Sequence, residues 1–342
     1  MPDAQKNMTL NNPTQYNDRI WISWERQRRT ITLSKEFNAE LFIVRNKRSG
    51  LFRYPELIVK TVQIIFREKP KYVFAQNPSI ILAALICFLK KPCKFTAVID
   101  RHTNFKLTHR NSYKLKWILF RCLSNYSLAN ADHTIVTNKY LKLLIRNHSR
   151  SSSVLPDKIP NLMPANELDI RSRKFKLTAF FICTFADDEP YREVFAAFKD
   201  FPEICLEVTG NYDDALDQSE IKGLPENVKL LGFVSNQNYI DHLFDCDFTV
   251  ILTSQEFTLN CGAYESLAAK KPMLLSDTKT IRSYFTFGAN YTKLDSLESV
   301  RAGIDSIKVE LALREREIVE QLPLMEVTWK KIFAATNNHF MK

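Results

Sequence analysis

Between residues 253 and 265 the chain sets two carboxylates around a glycine: Glu256, Asn260, Cys261, Gly262 and Glu265. Asn260, Cys261 and Gly262 stand where helical spacing begins, with Ala263, Leu267 and Ala268 falling on one side of a run over residues 261–269. The first amides of a helix have no intrahelical partner, and a glycine there lets a ligand approach the backbone closely, so these three positions suit an anion. Glu256 and Glu265 flank the same start. Carboxylates beside a phosphate repel it, so they fit hydrogen bonds from sugar hydroxyls better. The alternative is plain structure, with Gly262 easing packing and Glu265 a solvated acid in the first turn.

The elements around these residues must hold them at a sheet edge. Residues 248–252 are a short β-branched and apolar run bounded by polar residues, which reads as a strand buried on both faces of a parallel sheet. Residues 253–260 are a polar loop, Pro272 stops the helix, and residues 273–275 begin the next strand. The loop therefore lies at the carboxyl end of its strand, where ligands sit in open α/β sheets.

The pattern resembles the donor site of retaining GT-B glycosyltransferases of the family 4 type. That site carries two glutamates, a glycine between them and a small-residue helix after. The matching residues are Glu256, Gly262, Glu265, Ser266, Leu267, Ala268 and then Lys271-Pro272, with eight residues between the glutamates where the family has seven. The string Thr258-Leu-Asn-Cys-Gly-Ala-Tyr-Glu265 resembles a polysaccharide-synthesis branch of that family. The resemblance implies that Glu265 holds the nucleotide ribose and Glu256 touches the donor sugar. It also implies that Thr258, Asn260, Cys261 and Gly262 line the donor.

Earlier in the chain, strands are expected at 19–23, 41–44, 72–75 and 95–99, with helices at 25–37, 54–67, 80–89 and 111–131. The junction Trp24-Glu25-Arg26-Gln27-Arg28-Arg29 is unusual, because cations in a first helical turn oppose the macrodipole by about 0.3–1 kcal/mol each. Arg26, Arg28 and Arg29 therefore read as a phosphate or acceptor site, or else as surface arginines. The family has a glycine-rich loop here. Asp100-Arg101-His102 ends the fourth strand; a histidine at that edge can meet substrate, and in the family it touches the donor near its reacting carbon. Asp100 is grouped with the acceptor or phosphate side. The helix over 111–131 interleaves Lys114, Lys116 and Arg121 with Tyr113, Trp117 and Phe120, which suits a membrane interface or a core helix with a solvated edge. Residues 149–153, then Pro156, Pro160 and Pro164, read as a linker.

A second set of strands is expected at 177–183, 204–209 and 228–231, with Asp187-Asp188-Glu189-Pro190 opening a helix. Gly210 and Asn211 follow a strand, a ligand-facing position. The family grips the donor pyrophosphate with an arginine and a lysine in this region, and Arg192 is the match. Asp245-Cys246-Asp247 has the D-x-D form of a metal motif but lies at the amino end of a strand, so it reads as structural. Residues 310–340 are helical with a break at Pro323.

Composition bounds the rest. At 342 residues and 45% hydrophobic content the chain supports two domains with full cores. Seven cysteines without a C-x-x-C pair argue for a reducing compartment and against a zinc site. Residues 1–17 are polar, so no secretory signal is expected, and the longest apolar run, 80–89, is half the roughly 20 residues a bilayer span needs. Residues 1–173 carry 30 Lys+Arg and 12 Asp+Glu, a net of +18, while 174–342 carry 18 and 26, a net of −8. A basic half joined to an acidic half suggests one domain facing a polyanion or an anionic membrane.

The expectation is an α/β protein of GT-B type, with two Rossmann-like doubly wound domains facing a cleft. Residues 1–155 form a basic acceptor domain, 156–173 a linker, 174–322 a nucleotide-sugar donor domain, and 323–342 a helix crossing back to the first domain. The resemblance implies transfer of a sugar from a UDP- or GDP-type donor to an acceptor hydroxyl. The acceptor is expected to be an oligosaccharide or lipid-linked, at the cytoplasmic face of the inner membrane. The transfer would be retaining and would need no metal or other cofactor. Two rivals stand beside it. A nucleotide-sugar epimerase shares the architecture but leaves the +18 half unexplained, and a non-enzymatic module would bind anionic lipid or nucleic acid. No nucleic-acid motif is present, so nucleic acid is not expected as a partner.

Overall fold

A computed structural model describes residues 18–46, 50–76, 79–102, 112–165 and 174–340. Among these residues the chain forms two six-stranded sheets, each described by itself below.

The first sheet has the order β2-β1-β3-β4-β5-β6. Its strands are β1 (Arg19–Ser23), β2 (Glu40–Ile43), β3 (Tyr72–Gln76), β4 (Thr96–Arg101), β5 (His133–Val136) and β6 (Ser152–Val154). The pairs β2–β1, β1–β3 and β3–β4 are parallel. Helices α1 (Arg28–Glu36), α2 (Tyr54–Glu68), α3 (Ile80–Cys93), α4 (Leu115–Asn130) and α5 (Lys139–Ile145) make the crossovers. Ile20, Ile22, Val73, Ala75, Ala97 and Ile99 point into one apolar layer with Leu82 and Ile86 of α3, as the alternation of strand residues dictates.

The second sheet has the order β12-β11-β10-β7-β8-β9. It contains β7 (Leu177–Ile182), β8 (Ile204–Thr209), β9 (Val228–Gly232), β10 (Phe248–Ile251), β11 (Met273–Ser276) and β12 (Ala289–Thr292), all paired in parallel. Its helices are α6 (Tyr191–Phe198), α7 (Gln218–Lys222), α8 (Asn236–Asp245), α9 (Cys261–Ala268), α10 (Lys279–Tyr284) and α11 (Leu297–Asn338). One apolar layer joins Phe181, Val208 and Val250 to α6 and to Val300, Ile304 and Ile307 of α11; another joins Ile251 and Leu275 to α9, α10 and Ile318.

Several boundaries differ from the sequence reading, for physical reasons the structure supplies. Helix α1 starts at Arg28, because Ser23 Oγ bonds both the carbonyl and the amide of Glu25 and holds a turn there. Strand β4 runs two residues further, through Asp100 and Arg101, both buried. Helix α3 runs four further, because Lys90 is buried with its Nζ 2.6 Å from Asp132. Helix α4 begins only at Leu115, leaving Tyr113 and Lys114 ahead of it. Residues 152 and 153, read as linker, belong to strand β6. Helix α11 passes through Pro323 unbroken: the side chain is exposed, so the carbonyl its ring displaces can be solvated. The expected linker beyond residue 165, as far as residue 173, lies outside the described residues.

All seven cysteines are free thiols. No described helix is long and apolar enough to cross a membrane.

A titratable pair ties α8 to β8. His242 Nδ1 lies 2.7 Å from Glu207 Oε2, and the ring stacks on Phe180. The Glu207 carboxylate raises His242 above its ordinary 6.5 despite partial burial. A histidine raised on folding contributes stability that is complete below about its unfolded value and lost as pH climbs through the folded value. Chemical denaturation of wild type and His242→Gln should therefore show an advantage of a few tenths to about 1 kcal/mol for wild type near pH 6. That advantage should shrink by pH 9, and an advantage growing with pH would reverse the assignment.

Candidate functional site

Strand β10 is buried along its whole length between β7 and β11, so its carboxyl end delivers residues 252–260 to the sheet edge. Helix α9 then packs down on the sheet at unusually short range. A Cβ on Gly262 would lie 3.1 Å from two atoms of Ile182 and 3.3 Å from Ile251 Cγ1. One turn on, Ser266 Oγ meets Thr249 Oγ1 at 2.8 Å and bonds the Gly262 carbonyl at 2.8 Å. Gly262 does ease packing, and by doing so it seats the helix start at the carboxyl edge of the sheet.

Asn260 is the N-cap residue of α9, and its side chain makes no capping bond; its Oδ1 is buried and finds no partner among the described residues. Cys261 is exposed at the first helical position, with Sγ 3.7 Å from Asp157 Oδ2. Thr258 is half-buried beside them. Glu265 is buried rather than solvated, and the hydroxyl of Tyr239 on α8 donates to its Oε2. No local pattern marks Tyr239, which lies 26 residues upstream.

Glu256 is held by α10. Its Oε1 accepts from the Thr280 amide at 2.9 Å, the Thr280 hydroxyl at 2.5 Å and the Phe257 amide at 3.3 Å. Its Oε2 receives one long bond, 3.3 Å from the Lys279 amide. Burial alone would raise this carboxyl, but the bonds from Thr280, Phe257 and Lys279 outweigh it and hold Glu256 below its ordinary value. Glu256 is thus an ionised carboxylate with one oxygen anchored and the other available to a hydroxyl. The turn forces Phe257 to φ 68°, a left-handed backbone that side chains rarely adopt and that collects at functional sites.

The neighbouring loop after β7 is joined to this one. Thr253 Oγ1 donates to the Asp188 carboxylate, and the Ser254 amide bonds the Asp188 carbonyl at 2.8 Å. Glu189 does not open α6; its Oε2 accepts the amides of Thr184 and Ala186 at 2.8 and 3.0 Å and fixes the loop from inside. After β8, Gly210 adopts φ +122°, and a Cβ there would lie 2.3 Å from the Cys183 carbonyl oxygen. Asn211 is exposed next to it, its Oδ1 turned back to the Asp213 amide at 3.2 Å. Arg192 is committed elsewhere: Nε pairs with Glu220 at 2.7 Å and an Nη bonds the Ala215 carbonyl at 2.8 Å. Asp247 of the D-x-D string bonds the Thr178 amide at 2.6 Å at the amino end of the strand, a structural role as its position implied.

At the carboxyl edge of the first sheet, Arg29 and Asp100 find each other. Nε lies 3.1 and 3.0 Å from the two carboxylate oxygens and Nη2 2.7 Å from one, with both side chains buried. Arg29 therefore compensates a carboxylate of its own chain, a correction to its reading as a ligand contact. Arg26 is exposed ahead of α1, Arg28 half-buried at its first position. His102 is half-buried just past β4, its carbonyl accepting from the Thr137 hydroxyl at 3.3 Å. Burial pushes the adjacent Arg101 guanidinium down to about 10.

A cavity of about 460 Å³ lies beyond the far end of α9, between residues 157–162, Lys270, Tyr284 and Trp329. Trp329 Nε1 bonds the Pro156 carbonyl at 2.9 Å beside it.

No family model matches the chain, and no curated protein matches its sequence. Solved structures do match. HepE from Anabaena, in complex with UDP-glucose, superposes with a TM-score of 0.67 at 15% identity, covering 95% of this chain and 90% of its own. Sucrose-phosphate synthase from Thermosynechococcus elongatus gives 0.67 at 12%, covering 89% and 83%. WaaG, a glycosyltransferase involved in lipopolysaccharide biosynthesis, gives 0.61 at 10%, covering 94% and 95%. The chain shares the fold of these structures, the GT-B arrangement of two Rossmann-like sheets.

The Gly210 geometry yields a direct check. Gly210→Ala meets both a positive-φ backbone and close contact with the Cys183 backbone carbonyl just past β7. Urea denaturation should show a loss on the order of 1–3 kcal/mol from backbone strain, or more. An unchanged midpoint would mean the turn after β8 is not built as described.

Proposed function

We propose that this protein is a glycosyltransferase that moves a sugar from a nucleoside diphosphate donor to an acceptor hydroxyl. One observation carries the reading. The start of α9, with Gly262 against the sheet and Glu265 buried one turn on, stands at the carboxyl edge of a fold in which HepE has been solved with UDP and with UDP-glucose.

In this reading the diphosphate rests on the amides of residues 260–262, where charge on the leaving group builds up and fixed dipoles stabilise it. Glu265, held by Tyr239, takes the ribose hydroxyls, and Gly210 and Asn211 border the nucleoside. Glu256 is ionised and presents Oε2 to a hydroxyl of the transferred sugar. His102 acts on the donor near its reacting carbon. We assign the enzyme to the retaining, family 4 type on the string from Glu256 to Glu265, with no metal in the reaction and the donor's own phosphate receiving the acceptor's proton.

The acceptor side is read from charge and exposure. The first 173 residues carry +18, and α4 with the residues before it exposes Tyr113, Leu115 and Leu119 beside Lys114, Lys116 and Arg121. We take this face to rest on an anionic membrane, with a lipid-linked oligosaccharide of surface polysaccharide synthesis as acceptor, on the cytoplasmic side.

Two measurements test the proposal. Titration with UDP and GDP should show one of them binding, and Glu265→Gln should weaken it by roughly 1–3 kcal/mol through loss of a charged hydrogen bond. The bound nucleotide should slow alkylation of Cys261 and leave exposed Cys122 on α4 unaffected. Equal labelling of Cys261 with and without nucleotide would remove the diphosphate from α9. Separately, the protein should sediment with anionic but not neutral vesicles and be released by salt, as screening shortens charge attraction to about 8 Å. Replacing Lys114, Lys116 and Arg121 by Gln should reduce that binding while nucleotide affinity holds. Unchanged vesicle binding would take the membrane face away from α4.

A further inference from the structure

Helix α11 buries one side along its length, with Ile307, Ile318 and Trp329 turned inward. At 100° per residue the opposite side carries Val309, Leu313, Arg316, Glu320, Leu324 and Val327 in one stripe. The four apolar members are between 47% and 76% exposed, far more than a helix facing only water needs to leave open. Arg316 and Glu320 are both exposed, and neither forms an ion pair with another described residue.

The order of these residues is the informative part. Read from either end, the stripe runs apolar, apolar, charged, charged, apolar, apolar, and its centre falls at residue 318. A two-fold axis through that level, with two copies of α11 antiparallel, places Val309 on Val327, Leu313 beside Leu324 and Arg316 on Glu320. The second half repeats the same contacts, as an isologous interface must. Parallel pairing would instead set Arg316 on Arg316 and Glu320 on Glu320, so the charges select the antiparallel arrangement.

We propose that this face of α11 is a self-complementary interface and that its occupant is a second copy of this chain. The stripe runs from Val309 to Val327, 18 steps of 1.5 Å or about 27 Å. One helix face of that length falls below the roughly 1,200 Å² of a standard interface, so the dimer is weak and concentration-dependent. Pro323 lies on the same exposed side, and a helix passing through an exposed proline bows outward there, which brings the central turns of two copies together first.

Sedimentation velocity of the full chain at low salt reads this directly. From about 1 to about 100 µM, the range of weak transient interfaces, the 39.8 kDa species should give way to one of double mass. Arg316→Glu and Glu320→Arg should each weaken self-association at least about tenfold by facing like charges, with circular dichroism unchanged. Mixing the two variants should restore a dimer, because each supplies the charge the other lacks. A wild type that stays monomeric throughout, or charge variants that associate as wild type does, would overturn the proposal. So would failure of the mixture to associate when wild type does.

Discussion

The second sheet is arranged around the close seating of α9 on β7 and β10. Gly262 permits it and the Ser266–Thr249 bond fixes its depth. Because the helix lies so low, the loop that leads into it is pinned at the sheet edge instead of swinging over it. Glu256 in that loop then reaches the first amides of α10, and Glu265 on the helix reaches Tyr239 of α8. Three helices are thereby held in register by one residue without a side chain. Adding a methyl at Gly262 requires Ile182 to give by a few tenths of an ångström, and the displacement would pass to both carboxylates at once.

The first sheet depends on a different kind of constraint. Arg29 and Asp100 are 71 residues apart and both lose their water on folding. Desolvating two charges costs several kcal/mol for each ion, repaid only by good geometry, and removing one partner strands the other. The two-pronged contact supplies that geometry, and it fastens the first turn of α1 to the end of β4. An arginine in a first helical turn is unfavourable against the macrodipole; here the opposing charge is built into the protein.

That pair also shows where sequence reading reaches its limit. Apolar periodicity marks most strands of both sheets and the helix after Gly262, because burial on two faces leaves a continuous apolar run that needs no partner to be recognised. Strand β12, with Asn290 and two hydroxyl residues in four, lacks such a run. Periodicity failed where a polar residue is buried by virtue of a distant partner. Strand β4 was ended before Asp100 and α3 before Lys90, since Arg29 and Asp132 cannot be inferred from neighbours in sequence. The serine-rich β6 lacks the apolar run, being an edge strand held by one neighbour. Glu256, Gly262 and Glu265 stand out in the sequence by type and spacing, and the structure places them around the start of α9. Tyr239 and Thr280, which hold the two carboxylates, lie 26 residues before and 24 after and carry no local signal.

The charge around α9 bears on how a diphosphate would be held there. Arg192 is spent on Glu220, and Arg282 on Asp277, while Asp187, Asp188 and Glu256 crowd the loops after β7 and β10. These two arginines are therefore turned to the protein's own acids. Under the proposed reading an anion here draws on backbone amides, whose dipoles are fixed by the fold and need no reorganisation as charge shifts to the leaving group. Amides can do this only if the helix start is exposed and its cap makes no competing bond. Asn260 meets the second condition: it caps α9 without spending its side chain on the first turn, so no side-chain bond from it competes for the amides of Cys261 and Gly262. The acids nearby then serve a second purpose under the proposed reading. They repel a free phosphate dianion but accept hydrogen bonds from a sugar, so the same edge that admits a nucleotide sugar discriminates against inorganic phosphate.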